Sequence, residues 1–308
     1  MNLKIQIMKI VKGRLKIMVN EMKVGDGKVF LIAGGGKTYC DMAAKFCRTE
    51  KDVEDIIASP QSKALIKDLI SSGHKAALEF DNFLFGIQGY ARVTEIQLVR
   101  KRHASYMIKS GRNDEHGKRN MDIVIPDTIT KFSTKQILNP EKITLKFSNP
   151  NGIAEVKLND CFPLMKQQFQ QSMDPLVIYN YNYKDILNLI DTWYSEGVTL
   201  SIPEEDLRYM KPQATEFKAA VMMNCAALSD FFRIRMCNRA QKEIRDLATK
   251  MYKICYEQFP YIFESMGSKC KCDGYCTEKD QCKELKGKVP IKDQIMNLIN
   301  NHRDELFE

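Results

Sequence analysis

The chain has 308 residues and a net charge of +8; 44% of it is hydrophobic and 28% charged. That balance belongs to an ordinary globular protein of one large domain or two small ones, and excludes a disordered or fibrous chain. No apolar run approaches the roughly 18 residues of a membrane span, and the excess of positive charge suits an anionic partner, a nucleotide or a nucleic acid.

The N-terminus alternates as strands do, at Leu3-Ile5-Ile7, at Leu15-Ile17-Val19 and again over Val29 to Ile32, with no signal-peptide core. Gly34-Gly35-Gly36-Lys37-Thr38 then invites a nucleotide-loop reading, but lacks the first glycine of a P-loop. It reads as a turn into a helix carrying Met42 to Cys47. Ser62 to Ser72 is an amphipathic helix through Leu65, Ile66, Leu69 and Ile70, ended by Gly73-His74. Phe83, Phe85 and Ile87 alternate as a strand.

Residues 90 to 103 read as a helix, with Arg92, Ile96, Val99 and His103 at helical spacing and Gln97 and Arg100 on one face. Within 92–112, seven of 21 residues are Arg, Lys or His, and only Glu95 opposes them. Arginine forks and serine hydroxyls at this density are the donors a phosphate needs. Ile96, Leu98 and Val99 among the charges imply that part of the stretch is buried.

Met121 to Pro126 is a short apolar segment, and Ile143-Leu145-Phe147 and Ala154-Val156-Leu158 flank Asn149-Pro150-Asn151-Gly152 as a hairpin. Tyr183 to Ser195 is helical, ended by Gly197. Thr215 to Tyr256 carries two helical segments. Asn224, Leu228, Phe231 and Arg235 share a face there, with Asn224 and Arg235 about 16 Å apart at roughly 1.5 Å per residue. A buried arginine at the end of that stripe needs an anionic partner. A short helix closes the chain over 291–307.

Ten cysteines are present. Six stand singly, mostly among apolar neighbours, as in a reduced cytoplasmic protein. The other four, Cys270, Cys272, Cys276 and Cys282, have the irregular spacing C-x-C-x3-C-x5-C, open to a structural zinc, a redox-labile pair or a reduced tail.

The order Gln97-x-x-Arg100-Lys101-Arg102-x-x-Ser105-x-x-x-x-Ser110-Gly111-Arg112 resembles the signature of the FAD-dependent thymidylate synthases: R-H-R, seven residues, then S-x-R. Ile234 to Arg245 resembles that family's L-R-x-x-x-x-A-Q-x-E-I-R, Glu204 to Pro212 its E-D-A-R-x-x-L-P, and Gly73-His74 with Glu79 its G-H-x-x-x-x-E step. The similar segments span residues 43 to 245. The chain departs from the pattern at Lys101 (histidine in the family), Phe80 (a second histidine), Ile108 (Glu or Gln), Asn113 (Tyr), Ala226 (an arginine in some relatives) and Asp230 (commonly asparagine).

The resemblance implies an α/β (α+β) fold with helices packed around a curved central sheet, here with the 140–160 hairpin inserted. It implies a catalytic domain over 1–265, with 127–178 as an insertion, and a Cys-rich tail over 266–308. The activity implied is reductive methylation of dUMP to dTMP, with FAD as cofactor, methylenetetrahydrofolate as carbon donor and NADPH as reductant, in a homotetramer with shared active sites. Gln97, Ser110, Gly111, Arg112, Arg208 and Arg235 match dUMP positions, with Ser110, Arg112 and Arg235 closest to the chemistry. His74, Glu79, Arg100, Lys101, Arg102, Asn224 and Asp230 match FAD or folate positions. No cysteine attacks the pyrimidine.

Two other readings stay open. The departures suit altered one-carbon chemistry on a pyrimidine nucleotide, such as hydroxymethylation. The charge alone suits a nucleic-acid binder, although the basic stretch interleaves only Tyr106 for base stacking.

Overall fold

In the computed structural model the described residues are 23–24, 27–110, 122–130, 144–149, 152–157, 183–278, 281–282, 290 and 294–296. The strands expected at 3–7 and 15–19 and all but residues 294–296 of the C-terminal helix lie outside them.

The elements run in this order: β1 (Lys23–Val24), β2 (Lys28–Ala33), α1 (Cys40–Arg48), α2 (Val53–Ala58), α3 (Lys63–Ser71), a 3-10 turn (Ala76–Glu79), β3 (Asn82–Ala91), α4 (Arg92–Leu98), β4 (Ser105–Ile108), β5 (Val124–Ile125), β6 (Thr144–Asn149), β7 (Gly152–Lys157), α5 (Tyr183–Thr199), α6 (Glu204–Leu207), β8 (Glu216–Asn224), α7 (Cys225–Arg235), α8 (Lys242–Gln258), α9 (Pro260–Phe263) and α10 (Lys269–Asp273). Two compact units result. One comprises residues 1–20, 116–120 and 126–211; the other comprises 21–115, 121–125 and 212–308.

The second unit is built on an antiparallel sheet of order β2-β3-β8-β4. Its inner face takes alternate residues of the two central strands: Phe83, Phe85 and Ile87 of β3, and Phe217, Ala219, Val221 and Met223 of β8, all buried. Leu228 and Phe232 of α7, Leu247 and Met251 of α8 and Phe263 of α9 complete the core. Phe83 stacks on Phe85 at 5.9 Å and meets Phe259 and Phe263 edge-on at 5.8 and 5.9 Å, geometries that favour aromatic pairs. The outer face exposes Phe30, Ile32, Met107 and Met222. Part of it forms a shallow cleft of about 320 Å³ floored by Gly86 and Ala220.

Local chemistry explains the joints. Gly34, Gly35 and Gly36 all have positive φ, at 105°, 88° and 76°, so the triplet is a turn into α1 as expected, in a region side chains avoid. The buried Asp81 carboxylate takes the Thr38 hydroxyl, the Tyr39 amide at 2.8 Å and the Cys40 thiol at 2.8 Å. It thereby fixes that turn to the start of β3. Ser62 caps α3 through the Leu65 amide, and Gly73 closes it in a left-handed turn with His74 N–H donating to the Leu69 carbonyl at 2.8 Å. The buried Ile123-Val124-Ile125 run fulfils the short apolar segment, with β5 paired to β1.

The structure corrects two expectations in this unit. Residues 216–224 form β8, a central strand, where only helices were expected. Its outer positions Ala220 and Met222 are apolar like its inner ones, so the period of two is masked. The helix expected over 90–103 shrinks to α4, because Tyr90 and Ala91 still pair with Phe217 and Glu216 and the chain turns after Leu98. Of Ile96, Leu98 and Val99, Leu98 is buried, as expected for part of that stretch, while Ile96 and Val99 are 43% and 40% exposed.

In the other unit, β6 and β7 form the expected hairpin, with Asn149 opposite Gly152. Gly197 does not end its helix. α5 runs to Thr199 and closes at Ser201, a left-handed residue with φ 57°, with Ile202 N–H on the Gly197 carbonyl at 3.0 Å. Gly197 is small because α6 packs there: a Cβ would lie 2.3 Å from Leu207 Cδ2. No helix among the described residues is long and apolar enough to cross a membrane.

Candidate active site

The expected site residues fall in four places. Gly111 and Arg112 lie outside the described residues, as does Asn113. Arg208 belongs to the unit of α5 and α6, where it is exposed and its Nε donates to the Glu205 carbonyl at 3.1 Å. The remaining residues group at two ends of α7.

The first group gathers around the turn after α4. Arg235, in the last turn of α7, donates through Nη2 to the Gln97 carbonyl at 2.8 Å. The Gln97 side chain donates to Gln241 Oε1 at the start of α8. Lys101 Nζ lies 3.0 Å from Asp230 Oδ2. Thus Gln97, Arg100, Lys101, Asp230 and Arg235, from α4, the turn after it and α7, meet at one corner.

That corner is short of negative charge. Burial, and next the Arg100 charge, push the Arg235 guanidinium below its ordinary pKa. Arg235 remains a cation, but its partner is a backbone carbonyl rather than the anion expected for it. Arg100 and Arg102 are exposed and have no carboxylate partner among the described residues. Two neighbouring arginines, one half-buried, bind an anion far better than they tolerate each other.

Tyr106 holds the turn in shape, a role the sequence did not signal. Its hydroxyl lies 3.0 Å from the Leu98 carbonyl and 2.8 Å from the Lys101 carbonyl. The Leu98 carbonyl also accepts from the Lys101 N–H at 3.2 Å, so the hydroxyl closes the turn from both of its ends. Burial pushes its pKa up to about 12, so it stays a donor. β4, pairing with β8, sets Tyr106 in place, and Lys109 N–H on the Lys218 carbonyl at 2.9 Å carries the ladder up to Ser110.

The second group lies at the N-terminal end of α7. Asn224 ends β8 and caps α7, its Oδ1 accepting from the Ala227 amide at 2.7 Å. It is therefore a cap rather than part of the helical stripe. His74 and Glu79, both exposed, lie in the segment leading to β3, whose 3-10 turn packs on α7.

The cysteines divide. Cys40, Cys225 and Cys255 are buried, and burial is the largest cause pushing each thiol well above its ordinary range. They stay protonated and non-nucleophilic. Cys47 is exposed and Cys237 half-buried, against the expectation of apolar surroundings, and Cys161 lies outside the described residues. In the tail, Cys270, Cys276 and Cys282 line a cleft of about 320 Å³ with Cys237. Cys272 instead faces the Ser265 and Gly267 carbonyls, each at 3.5 Å. Among the described residues no group of three or more His, Cys, Asp or Glu is placed to hold a metal, so of the three readings open for the tail, the structural zinc has no assembled four-thiol site there.

With this geometry in hand, comparison with known proteins is specific. The model of the family described as thymidylate synthase complementing protein matches residues 33–261. The chain is 34% identical over 234 residues to the flavin-dependent thymidylate synthase of Nitratidesulfovibrio vulgaris, covering 75% of this chain and 78% of that one. It is 30% identical over 222 residues to that of Pyrococcus abyssi, covering 71% and 74%. Among solved structures it is similar to the UMP/dUMP methylase PolB from Streptomyces cacaoi bound with 5-Br dUMP. The TM-score is 0.52 at 18% identity, over 79% of this chain and 96% of that one; this likeness speaks to the fold alone.

Proposed function

Since the chain belongs to the thymidylate synthase complementing protein family, we propose that it is a flavin-dependent thymidylate synthase that methylates dUMP to dTMP. Methylenetetrahydrofolate supplies a methylene carbon, and NADPH the two electrons that make it a methyl group. The C5 hydrogen of the uracil leaves as a proton, and the folate leaves as tetrahydrofolate. When bound, FAD supplies the two-electron relay between NADPH and the one-carbon unit.

The observation that carries this reading is the cation-rich corner of Arg100 and Arg235, where Arg100 has no carboxylate partner among the described residues. Its donor set fits phosphate-bearing ligands. In this reading Arg100 and Arg102 hold the flavin, and His74, Glu79 and Asn224 take further flavin or folate contacts. Arg235 and Gln97, joined by Ser110, Gly111, Arg112 and Arg208, take dUMP. Arg235 and Arg112 would polarise a pyrimidine carbonyl, stabilising charge that develops on it. The buried thiols take no part.

The exposed sheet face supports the homotetramer, since Phe30, Ile32, Met107 and Met222 form an apolar patch of the kind that marks an interface. A cytoplasmic setting, a catalytic domain over 1–265 and an inserted 127–178 complete the proposal.

The purified protein should be yellow and should oxidise NADPH faster when dUMP is added; a colourless protein that takes up no FAD sinks the reading. Ile108 and Ala226 favour a second reading, altered one-carbon chemistry or UMP as substrate, since each puts an apolar side chain where the resemblance has a polar one. Mass spectrometry of the product from UMP and from dUMP separates the two. The nucleic-acid reading has no observation of its own beyond charge.

A further inference from the structure

Two positions at which this chain departs from the family pattern touch each other. Lys101 Nζ and Asp230 Oδ2 are 3.0 Å apart, the lysine side chain 15% exposed and the aspartate 57%. The other polar groups of Lys101 are also committed: its N–H donates to the Leu98 carbonyl at 3.2 Å and its carbonyl accepts from Tyr106. Among the described residues, Arg100 and Arg102 on either side make no such ion pair. We infer that Lys101 is a positioning residue, which neutralises Asp230 and ties the basic turn to α7, and that it does not itself face the anionic ligand.

Charge is the reason. A bare carboxylate on α7 would repel an anion at the Arg100–Arg235 corner, or draw one of those arginines into an internal pair. The ammonium cancels it locally, and a lysine serves because a point charge needs no fixed fork.

The inference rests on reading Arg100 and Arg102 as flavin-facing, and FAD is the probe. Lys101→Met leaves Asp230 uncompensated and weakens FAD binding about tenfold at low salt, with much of the loss recovered at high salt, because an exposed carboxylate acts through a screened field. Lys101→Met/Asp230→Asn removes both charges and recovers most of the affinity, with Asp230→Asn completing the cycle. A double variant as weak as Lys101→Met overturns the inference, since the lysine then touches the ligand.

A second measurement needs no ligand. Trypsin should cut after residues 100–102 several-fold faster in Asp230→Asn than in the wild type, with Asp230→Glu restoring protection, as release of one surface-facing ion pair predicts. Unchanged cleavage also overturns it. If the wild type takes up no FAD, the proposed function fails, while the trypsin comparison still judges the pair.

Discussion

Arg235 shows how a site is made at the scale of one residue. Its partner inside the chain is the Gln97 carbonyl, which accepts a hydrogen bond but cancels no charge. Arg235→Ala should weaken dUMP binding by about 1.5–3 kcal/mol, the usual worth of a hydrogen bond to a charged group. Arg235→Lys should fail substantially, since an ammonium cannot reproduce the fork; titration calorimetry with dUMP measures both. Arg112→Ala should behave alike while bound FAD changes little. If it loses flavin and keeps dUMP affinity, the division of the basic stretch into a flavin part and a nucleotide part is wrong. Tyr106→Phe deletes the donor to two carbonyls and should lower stability by about 1–2 kcal/mol in urea unfolding. The arginines were legible because a fork amid serines has few uses. Tyr106 was not, because it acts on backbone carbonyls, which leave no mark in the sequence.

At the scale of elements, patterns were legible where one face is wet. α3 and the β6–β7 hairpin announce themselves by period and turn chemistry, whereas β8 has apolar residues on both faces and α4 loses its last turn to Tyr106. Gly197 was misread because a glycine that ends a helix and one that admits a neighbouring side chain look alike in one dimension. The turn before α1 is testable. In Gly34→Ala the new Cβ would lie 2.4 Å from the Asn82 carbonyl oxygen, at φ 105°. Backbone must move, so a loss of about 2–3 kcal/mol is expected in chemical denaturation. Glu243, at the start of α8, accepts from the Ala91 amide at 2.5 Å, yet burial raises its pKa above 4.5. A carboxyl with a raised folded pKa binds its proton more tightly in the folded state. Its contribution is therefore fully present at low pH and is lost as pH rises from 4.5 through the folded value. Glu243→Gln keeps an acceptor and removes the charge, so the fall in unfolding free energy between pH 5 and pH 7 should flatten, read from urea midpoints at the two pH values.

At the scale of the whole molecule, the family was legible because its motifs lie on separate elements in a fixed order: the 3-10 turn, α4 and the turn after it, and α7 into α8. The division into units was not, since it depends on contacts that no local pattern records. The exposed sheet face gives the molecular prediction. Met107 is 77% exposed and lies beside Ala220 and Gly86 across the strands. Met107→Glu should leave the far-ultraviolet circular dichroism unchanged but shift the protein to a smaller species in light scattering, because a buried unpaired charge opposes association. An unaltered mass would exclude this face from the interface.

The sheet's strand order has a consequence for how the chain is made. β3 pairs on one side with β2, which is near in sequence, and on the other with β8, whose Asn224 stands opposite Asn82. Ribosomes add about 5–20 residues per second, so the second partner emerges on the order of ten seconds after β3. Until then the row Phe83, Phe85, Ile87 has neither β8 beside it nor α7 and α8 above it. A nascent chain in that interval offers an open strand edge with an aromatic face, a substrate for a holdase chaperone. Slowing translation between the two strands should therefore lower soluble yield, while slowing it after residue 263 should not.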